Sequence, residues 1–482
     1  MKPQGHDDEH SNEDHAADNP RLHLLLPASN RDVNLCKTLL SARALGYPNP
    51  VVVAWDEHFD TEYLLGGGSH LAKVSKVLEY LQSMPSSADE DLVLMMDAFD
   101  IWFQLRPETL ISRYRAVNDA ANERIANEMG ASAEKEGIQQ KIIFGAGKRC
   151  APNQVHTLAC YPVPLSPVPD DIYGENTDTI MGINKYTSLR QRYLNSGYVI
   201  GPVKDMKPMF ERAWQKMQNW PNPDPEDNGS HGSDFTYHGS DQSVFNLMFG
   251  EQEFQREVIR RRHETWYSKK QGKRPKAINR VEGTIIGDDI LNPPFSHQTM
   301  DALPGKPCEF GIGLDYFSDL GHQTANAESD GRWMTFDQPT ETFVKEANTD
   351  RGRFHCKYRG KGRLPTDVLA SRPPFANLSA EDAPFEPSWT AVPLYTNLCM
   401  DRIPVMVHHN GDKSAREHSW ANVWFQKAGR AILEEAEAST DDAGKLGAFT
   451  DSAGFLSWSD MCPSEYAAEL FRDKGEDNKT DV

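Results

Sequence analysis

Two aspartates at the end of an apolar segment are the residues of this chain best placed to do chemistry. The segment 92–96 is a run of apolar residues typical of a fully buried strand, and Asp97 and Asp100 come after it. Carboxylates at the carboxyl end of a buried parallel strand lie where open α/β sheets bind their ligands. Two carboxylates held close together repel each other unless a cation lies between them. The segment therefore favours a cation site, and the alternative is a turn with two solvated acids.

Three further segments favour the cation site over the turn. Glycines 66–68 precede a predicted helix with Lys73 and Lys76, the tripeptide 195–197 (Asn-Ser-Gly) interrupts a predicted strand, and His408 follows a late strand. Two carboxylates and an imidazole form a mixed oxygen and nitrogen site that suits Mn²⁺ more than Ca²⁺. Basic side chains and a glycine next to such a site can receive a diphosphate. The set predicts a protein that cleaves a nucleotide-sugar, with the metal neutralising the leaving group.

The elements needed to position these residues alternate along the chain. Residues 23–26 and 50–55 read as short buried strands, and residues 32–45 as a helix with Asp32 as N-cap and Gly46 as its end. Strand, helix, strand is the pattern of a parallel sheet covered by helices. Further helices are predicted at 71–84, 107–117, 118–140, 207–219, 240–250 and 414–438, and further strands at 141–145, 192–202, 309–314 and 403–407.

Composition limits the classes of partner. The net charge of −20 argues against nucleic acid or an anionic membrane as the main partner. Residues 1–20 form an acidic tail with almost no apolar content, which we expect to be disordered. No segment approaches the roughly 20 apolar residues of a membrane span, and no signal peptide is visible. Taken literally the chain is a soluble protein, and the sequence also fits a luminal protein whose N-terminal anchor has been removed.

The cysteines and glycosylation sequons bear on the compartment. None of the seven cysteines forms a C-x-x-C pair, so a structural zinc site is not expected. Cys150 and Cys160 could close a small loop in an oxidising compartment, and the odd count leaves at least one thiol free or paired elsewhere. Sequons at Asn228, Asn377 and Asn478 are mild support for a secretory origin.

Seven motifs, in order, resemble the glycosyltransferase domain of the collagen lysyl hydroxylases and its relatives, including procollagen galactosyltransferase-like and fungal homologues. They are GGG…K, LMMDAFDIWF, KIIFGA, RYLNSGYVIGP, SDQSVF, GLDYFSDLGHQT and IPVMVHHNG. The resemblance covers residues 22–250 and, in pieces, 309–321 and 402–413. It implies that Asp97 and Asp100 hold the metal and that His408 completes the ligands. His409 stands where the family usually has glycine, and a histidine at the edge of the core is the alternative for His408.

The resemblance also implies residues for a UDP-sugar donor. Lys73 would reach the donor phosphates, where a solvated helix residue is the alternative. Gly411 would let the backbone approach the diphosphate with Lys413 nearby, although Lys413 is displaced by one residue from the family's lysine. Ser29 would touch the nucleoside, and Phe99, where relatives carry tyrosine, would stack near the uridine or ribose.

The sequence leaves alternatives open for the residues that would bind or activate the acceptor. Asp241 begins a predicted helix and could act as a base on the acceptor hydroxyl, or could cap the helix. The resemblance places residues from Asn195 to Gly197 along the sugar pocket, and a β-bulge at Gly197 is the alternative.

The resemblance implies a GT-A fold: an α/β domain at 21–435 with a mostly parallel central sheet flanked by helices. A large irregular insertion is expected at 256–395 and a C-terminal extension at 436–482. The implied activity is transfer of glucose or galactose from a UDP-sugar, with Mn²⁺ or another divalent cation, to a hydroxyl on a glycan, protein or small molecule. The alternatives are a nucleotide-sugar hydrolase or phosphodiesterase and a non-catalytic carbohydrate-binding protein. The expected location is the lumen of the secretory pathway, in the endoplasmic reticulum or Golgi.

Overall fold

A computed structural model of the 482-residue chain describes residues 20–59, 68–174, 177–178, 185–220, 237–262, 306–349, 356–376, 378–379, 381–384, 386–438 and 446–471. Almost all of the predicted acidic tail, two of the three glycines at 66–68 and the asparagines of the three sequons lie outside the described residues. So does the part of the predicted insertion at 263–305.

The described residues contain strands from both ends of the chain. In chain order the strands are β1 (Leu22–Pro27), β2 (Val51–Val53), β3 (Leu92–Met96), β4 (Ile101–Phe103), β5 (Ile142–Gly147), β6 (Tyr193–Pro202), β7 (Ile312–Asp315), β8 (Gly321–Gln323), β9 (Gly331–Met334), β10 (Leu394–Asn397), β11 (Met406–His408), β12 (Gly447–Thr450) and β13 (Gly454–Ser457). The helices are α1 (Val33–Leu45), α2 (Ser69–Ser83), α3 (Pro107–Met129), α4 (Ala131–Glu136), α5 (Val203–Gln218), α6 (Asp241–Arg262), α7 (Thr340–Ala347), α8 (Thr366–Ala370), α9 (Ser414–Asn422), α10 (Gly429–Ala438), α11 (Trp458–Met461) and α12 (Ala467–Leu470).

An eight-stranded sheet in the order β13-β12-β2-β1-β3-β6-β5-β7 forms the centre of the molecule. Strands β6 and β13 run antiparallel to their neighbours, and the remaining strands run in one direction. The prediction of a mixed α/β protein with a mostly parallel central sheet flanked by helices is confirmed.

The sheet is covered on both faces, since β3 is apolar and buried at every position and β1 buries three consecutive leucines. Leu24 and Leu26 pack in one buried cluster with α1, whereas Leu25, between them, packs in a second cluster with α2. Adjacent residues of a strand point to opposite faces, so helices α1 and α2 lie on opposite sides of β1. The order β2-β1-β3 therefore places a topological switch point between β1 and β3, the place where open α/β sheets bind ligands.

Helix α1 begins and ends where the sequence predicts. The Asp32 carboxylate accepts a hydrogen bond from the Asn34 backbone N–H at 2.7 Å, which satisfies one of the unpaired donors of the first turn. Gly46 ends the helix with φ of 79°, a left-handed conformation that costs little without a side chain.

A second, three-stranded sheet in the order β4-β11-β8 was only partly predicted. Strand β11 runs antiparallel to β4, with His408 opposite Ile101, and parallel to β8. The strand predicted at 403–407 is shifted toward His408, and β4 and β8 were missed because three-residue strands leave little pattern in a sequence. This sheet brings the residue after Asp100 beside His408.

Several predicted helices differ in length from the structure: the helix predicted at 207–219 begins at Val203, and the helix predicted at 240–250 continues to Arg262. Helix α3 continues to Met129 and takes in much of the predicted excursion at 118–140. The helix predicted at 414–438 ends at Asn422 and resumes at Gly429. Trp424 and Phe425 are both fully buried in the intervening turn, and burying consecutive side chains requires the chain to leave a surface helix.

The expected insertion and extension both contribute to the sheets. Strand β7, within the range predicted as an irregular insertion, pairs with β5 in the central sheet. Strands β12 and β13, within the predicted extension, continue the sheet beside β2. Their contributions depend on long-range pairing that local periodicity does not reveal.

Three disulfides link Cys36 to Cys462, Cys150 to Cys160 and Cys356 to Cys399. The predicted bridge between Cys150 and Cys160 is confirmed, and Cys308 is a free, buried thiol. Across the residues that the structure describes, no helix combines the length and apolar character needed to cross a membrane.

Candidate metal centre

Asp97, Asp100 and His408 meet at the carboxyl end of β3. Each offers one ligand atom, and these atoms lie within 4.8 Å of one another. The Nε2 atom of His408 is 3.7 Å from Oδ2 of Asp97 and 3.4 Å from Oδ1 of Asp100. The three residues that the sequence predicted as metal ligands are therefore brought together from positions more than 300 residues apart.

Backbone hydrogen bonds fix the two aspartates. The Asp97 N–H donates to the Gly197 carbonyl at 2.7 Å, and the His409 N–H donates to the Asp100 carbonyl at 2.7 Å. The first bond ties the end of β3 to β6, and the second ties the turn after β3 to the end of β11. The carboxylates are thus held by strands rather than by a mobile loop.

His408 is oriented by Asn195 and by a glycine. Its Nδ1 lies 3.1 Å from Oδ1 of Asn195, an acceptor, so Nδ1 carries the proton and Nε2 presents its lone pair to the aspartates. A Cβ atom on Gly197 would lie 2.1 Å from Cε1 of His408, so only glycine leaves room for the ring. The β-bulge considered for Gly197 is present, because β5 pairs with Val199 and then with Asn195.

The donor set fits a divalent cation. Oδ1 of Asp100 and Nε2 of His408 are buried and have no hydrogen-bond partner among the described residues. Buried polar atoms without partners are costly, and a cation between these two atoms and Asp97 would satisfy both. Two carboxylates and an imidazole match Mn²⁺ and similar cations.

The two carboxylates of the site, Asp97 and Asp100, have different electrostatic surroundings. Burial raises the pKa of Asp100, but His408 and the Arg416 guanidinium, 3.1 Å from its Oδ2, outweigh burial and hold the pKa at about 2. Burial, reinforced by the nearby Asp100 carboxylate, raises the pKa of Asp97 against the opposing effect of Lys73. Asp97 is also the more open ligand, with 36% of its side chain exposed against 16% for Asp100.

The ammonium group of Lys73 is buried among oxygen atoms of the protein. Its Nζ lies 2.7 Å from Asp97, 3.0 Å from Asp241 and 2.9 Å from the Ser196 carbonyl, so three protein oxygens surround the ammonium group. Burial lowers the pKa of Lys73, but the two carboxylates outweigh burial and raise the pKa above its usual value. The predicted contact between Lys73 and donor phosphates would require it to leave these partners.

Asp241 is not a helix cap. Helix α6 begins at Asp241 itself, and the Ser240 carbonyl accepts the first hydrogen bonds of the helix. The carboxylate instead contacts Lys73 through Oδ2 and lies 3.1 Å from Nδ1 of His70 through Oδ1. Burial raises the pKa of Asp241, but Lys73 and His70 outweigh burial and hold the pKa well below its usual range.

Asn195 belongs to a network that links β6 to α6. Its neighbour Ser196 donates from both its backbone N–H and its hydroxyl to Oε1 of Gln242, at 2.8 and 3.0 Å. Gln242 in turn donates to the Leu194 carbonyl at 2.6 Å. The predicted sugar-pocket residues thus lie beside the metal group in a rigid setting.

The remaining predicted donor residues lie around the same edge. Ser29 follows β1 at the switch point and is half-buried, and Phe99 packs partly against the core in the turn between the two aspartates. Gly411 donates its N–H to Thr324 at 3.1 Å, and a Cβ there would approach Glu328 to 2.8 Å. Lys413 is exposed immediately before α9.

Sequence reasoning missed His70 and Arg416, which contact site residues from helices α2 and α9. His70 lies at an unspecified position within the GGG…K motif and Arg416 follows the last motif, so only the fold places them beside Asp241 and Asp100. His409, the alternative imidazole, packs its ring 4.3 Å from that of Trp102, and burial lowers its pKa to about 3.

No protein-family model matches this sequence, and no curated protein is significantly similar to it. The family resemblance therefore stays a prediction that rests on the motifs alone.

Proposed function

We propose that this protein is a metal-dependent glycosyltransferase of GT-A type that moves glucose or galactose from a UDP-sugar to a hydroxyl acceptor. The observation that carries the proposal is the Asp97, Asp100 and His408 group at the switch point of the central sheet, with two buried ligand atoms that have no hydrogen-bond partner in the described part of the chain. A nucleotide would lie at the carboxyl edge of the sheet beside the switch point. Its diphosphate would need a cation, which the three ligands could hold there.

Asp97, Asp100 and His408 would hold the metal. A divalent cation held by these residues would supply positive charge that neutralises the charge developing on the UDP leaving group. The chain's own groups supply positioning and charge. Asn195 keeps the Nε2 lone pair of His408 directed at the site, and Arg416, 3.1 Å from Oδ2 of Asp100, holds that carboxylate in place.

The open side of the site is suited to the donor. Asp97 is the most exposed of the three ligands, and Ser29 and Phe99 lie on the same edge of the sheet. We assign the nucleoside to Ser29 and Phe99, the hexose to the side of Asn195, and the diphosphate to the region between Asp97 and Gly411, with Lys413 free to approach it.

The three disulfides support a luminal location. Disulfides form and persist in oxidising compartments, and a bridge that links the first helix to the C-terminal part of the chain is expected in a protein of the secretory pathway.

Release of UDP tests the proposed function. The protein is incubated with UDP-glucose or UDP-galactose in Mn²⁺ or in EDTA, and the released UDP is measured. Water serves as the first acceptor, and simple sugars and peptides are then added as further acceptors. We expect UDP release that requires Mn²⁺ and is lost in Asp100→Asn, while Asp119→Asn, the same change at an exposed acid on α3, behaves as the wild type. Release that persists in EDTA, or no release from either donor, would overturn the proposal. Turnover limited to water, with no acceptor used, would favour a nucleotide-sugar hydrolase.

A further inference from the structure

His70 and Asp241 form an oriented pair next to the metal group. Nδ1 of His70 lies 3.1 Å from Oδ1 of Asp241, while Oδ2 of Asp241 contacts Lys73, which contacts Asp97. These contacts place the imidazole two side chains away from a predicted metal ligand. The pair joins the first turn of α2 to the first residue of α6.

Asp241 is badly placed to accept a proton from a substrate. Only 2% of its side chain is exposed, and both of its oxygens already face cationic or proton-donating groups. A carboxylate that is buried and stabilised in its ionised form is also a weak base. Its geometry suits a different task, the orientation of a neighbouring imidazole.

His70 has the features that Asp241 lacks. Its side chain is 48% exposed, so it is accessible to a substrate. Because its partner is an ionised acceptor, Nδ1 donates, and the lone pair lies on Nε2, which no described residue engages. A histidine held through one nitrogen by a buried carboxylate is the arrangement that general bases use.

We propose that His70 is the general base of the reaction and that Asp241 is its positioning residue; this rests on the proposed function. Nε2 of His70 removes the proton from the acceptor hydroxyl as the acceptor oxygen bonds to the anomeric carbon of the hexose. The bond from that carbon to the UDP oxygen breaks, and its electron pair leaves with UDP. The proton passes from Nε2 to solvent, and the single displacement inverts the configuration at the anomeric carbon.

The charges that face His70 set its pH dependence. The hydrogen bond to Asp241 raises the pKa of His70; burial opposes the effect, Asp97 adds to it and Lys73 on the same helix reduces it. The base is active when neutral, so turnover rises with pH as His70 loses its proton. Removal of the Asp241 charge should move that rise to lower pH.

The test compares His70→Gln with His418→Gln, the same change at an exposed histidine on α9. Mn²⁺-dependent hydrolysis of UDP-glucose and UDP-galactose, with water as the acceptor, is followed from pH 5 to pH 9. We expect His70→Gln to lower kcat by about 100-fold or more, to lose the acidic limb of the pH profile, and to keep its affinity for UDP with Mn²⁺ within twofold. His418→Gln should match the wild type.

Spectra of ¹⁵N-labelled histidine test the pair without turnover. The His70 signals, assigned as those missing from His70→Gln, should show the proton on Nδ1 in the neutral ring, and Asp241→Asn should lower the pKa of His70. A wild-type rate and pH profile in His70→Gln, a proton on Nε2, or retained configuration in the released sugar would overturn the assignment of the base. Absence of hydrolysis in the wild type with both donors would instead overturn the proposed function.

Discussion

The imidazole of His408 lies directly over the backbone of Gly197, where a Cβ atom would be 2.1 Å from Cε1 and 2.4 Å from Nδ1 of the ring. The ring is also held by Asn195, which belongs to the same bulge of β6. The bulge of β6 therefore contacts the metal group on one side. On the other side, the pairing of β4 with β11 holds Asp100 and His408 next to each other. The metal group therefore requires a residue without a side chain at position 197 as much as it requires its ligands.

Gly197→Ala should weaken Mn²⁺ binding. The added methyl group displaces the His408 ring, and disturbing the groups that orient a metal ligand typically costs about 10–100-fold in metal affinity. Calorimetric titration with Mn²⁺ measures the effect. The control is Gly130→Ala, where nothing lies within 4 Å of an added Cβ but φ is 57°. Because Gly130 has φ of 57° and ψ of −141°, a region essentially restricted to glycine, the control should lose about 1–3 kcal/mol of stability from backbone strain and bind Mn²⁺ normally. Equal Mn²⁺ affinity in the two variants would contradict the account.

Lys73→Met should destabilise the protein much more than Lys76→Met. Lys73 is 6% exposed and lies between Asp97 and the buried Asp241, so its loss leaves a buried carboxylate without its cation. Breaking such a pair costs about 3 kcal/mol or more, whereas the surface pairs of Lys76 with Glu57 and Glu79 contribute less than about 1 kcal/mol. Urea denaturation of the two variants in EDTA makes the comparison. Similar losses would show that the Lys73 contacts are not maintained in solution.

His322 should make the protein less stable in acid. Burial lowers its pKa to about 4 in the folded state, against about 6.5 in an unfolded chain. Between those values the unfolded state binds more protons, so stability falls as pH drops from about 6.5 to 4, by about 3 kcal/mol in total. Urea denaturation at pH 7 and pH 4 in EDTA should show a smaller loss for His322→Gln than for the wild type. An equal loss in both would mean that His322 does not carry the effect.

The bridge between Cys36 and Cys462 should stabilise the fold more than the bridge between Cys150 and Cys160. Their sequence separations are 426 and 10, and the larger loop restricts the unfolded chain more, by about 3 kcal/mol in the chain-entropy account. Replacing each pair of cysteines by serines and measuring urea unfolding tests the order. A larger loss for Cys150 and Cys160 would contradict it.

Local patterns predicted the parts of this fold that local sequence determines. The apolar run before Asp97, the Asp32 cap and the Gly46 stop each act within a few residues of themselves, and each lies where the sequence placed it. The bridge between Cys150 and Cys160 joins residues close in sequence and was also predicted.

Features that depend on distant partners escaped prediction. Strand β4 has three residues and exists because β11 pairs with it, and β12 extends the sheet only because β2 is there to receive it. The position of Asp241 as partner of Lys73 and His70, rather than as a helix cap, follows from the packing of α2 near α6. The grouping of Asp97, Asp100 and His408 was predicted from their residue types and their places after predicted strands, and the family resemblance then implied the same three ligands.

The most direct test of the account is calorimetric titration of UDP into the protein with and without Mn²⁺. The account predicts that UDP binds only when Mn²⁺ is present, and that Asp97→Ala, Asp100→Ala and His408→Ala each abolish this binding while the protein stays folded. Asp119→Asn should bind as the wild type does. Binding of UDP that is indifferent to Mn²⁺, or unchanged affinity in any of the three ligand variants, would contradict the joint metal site.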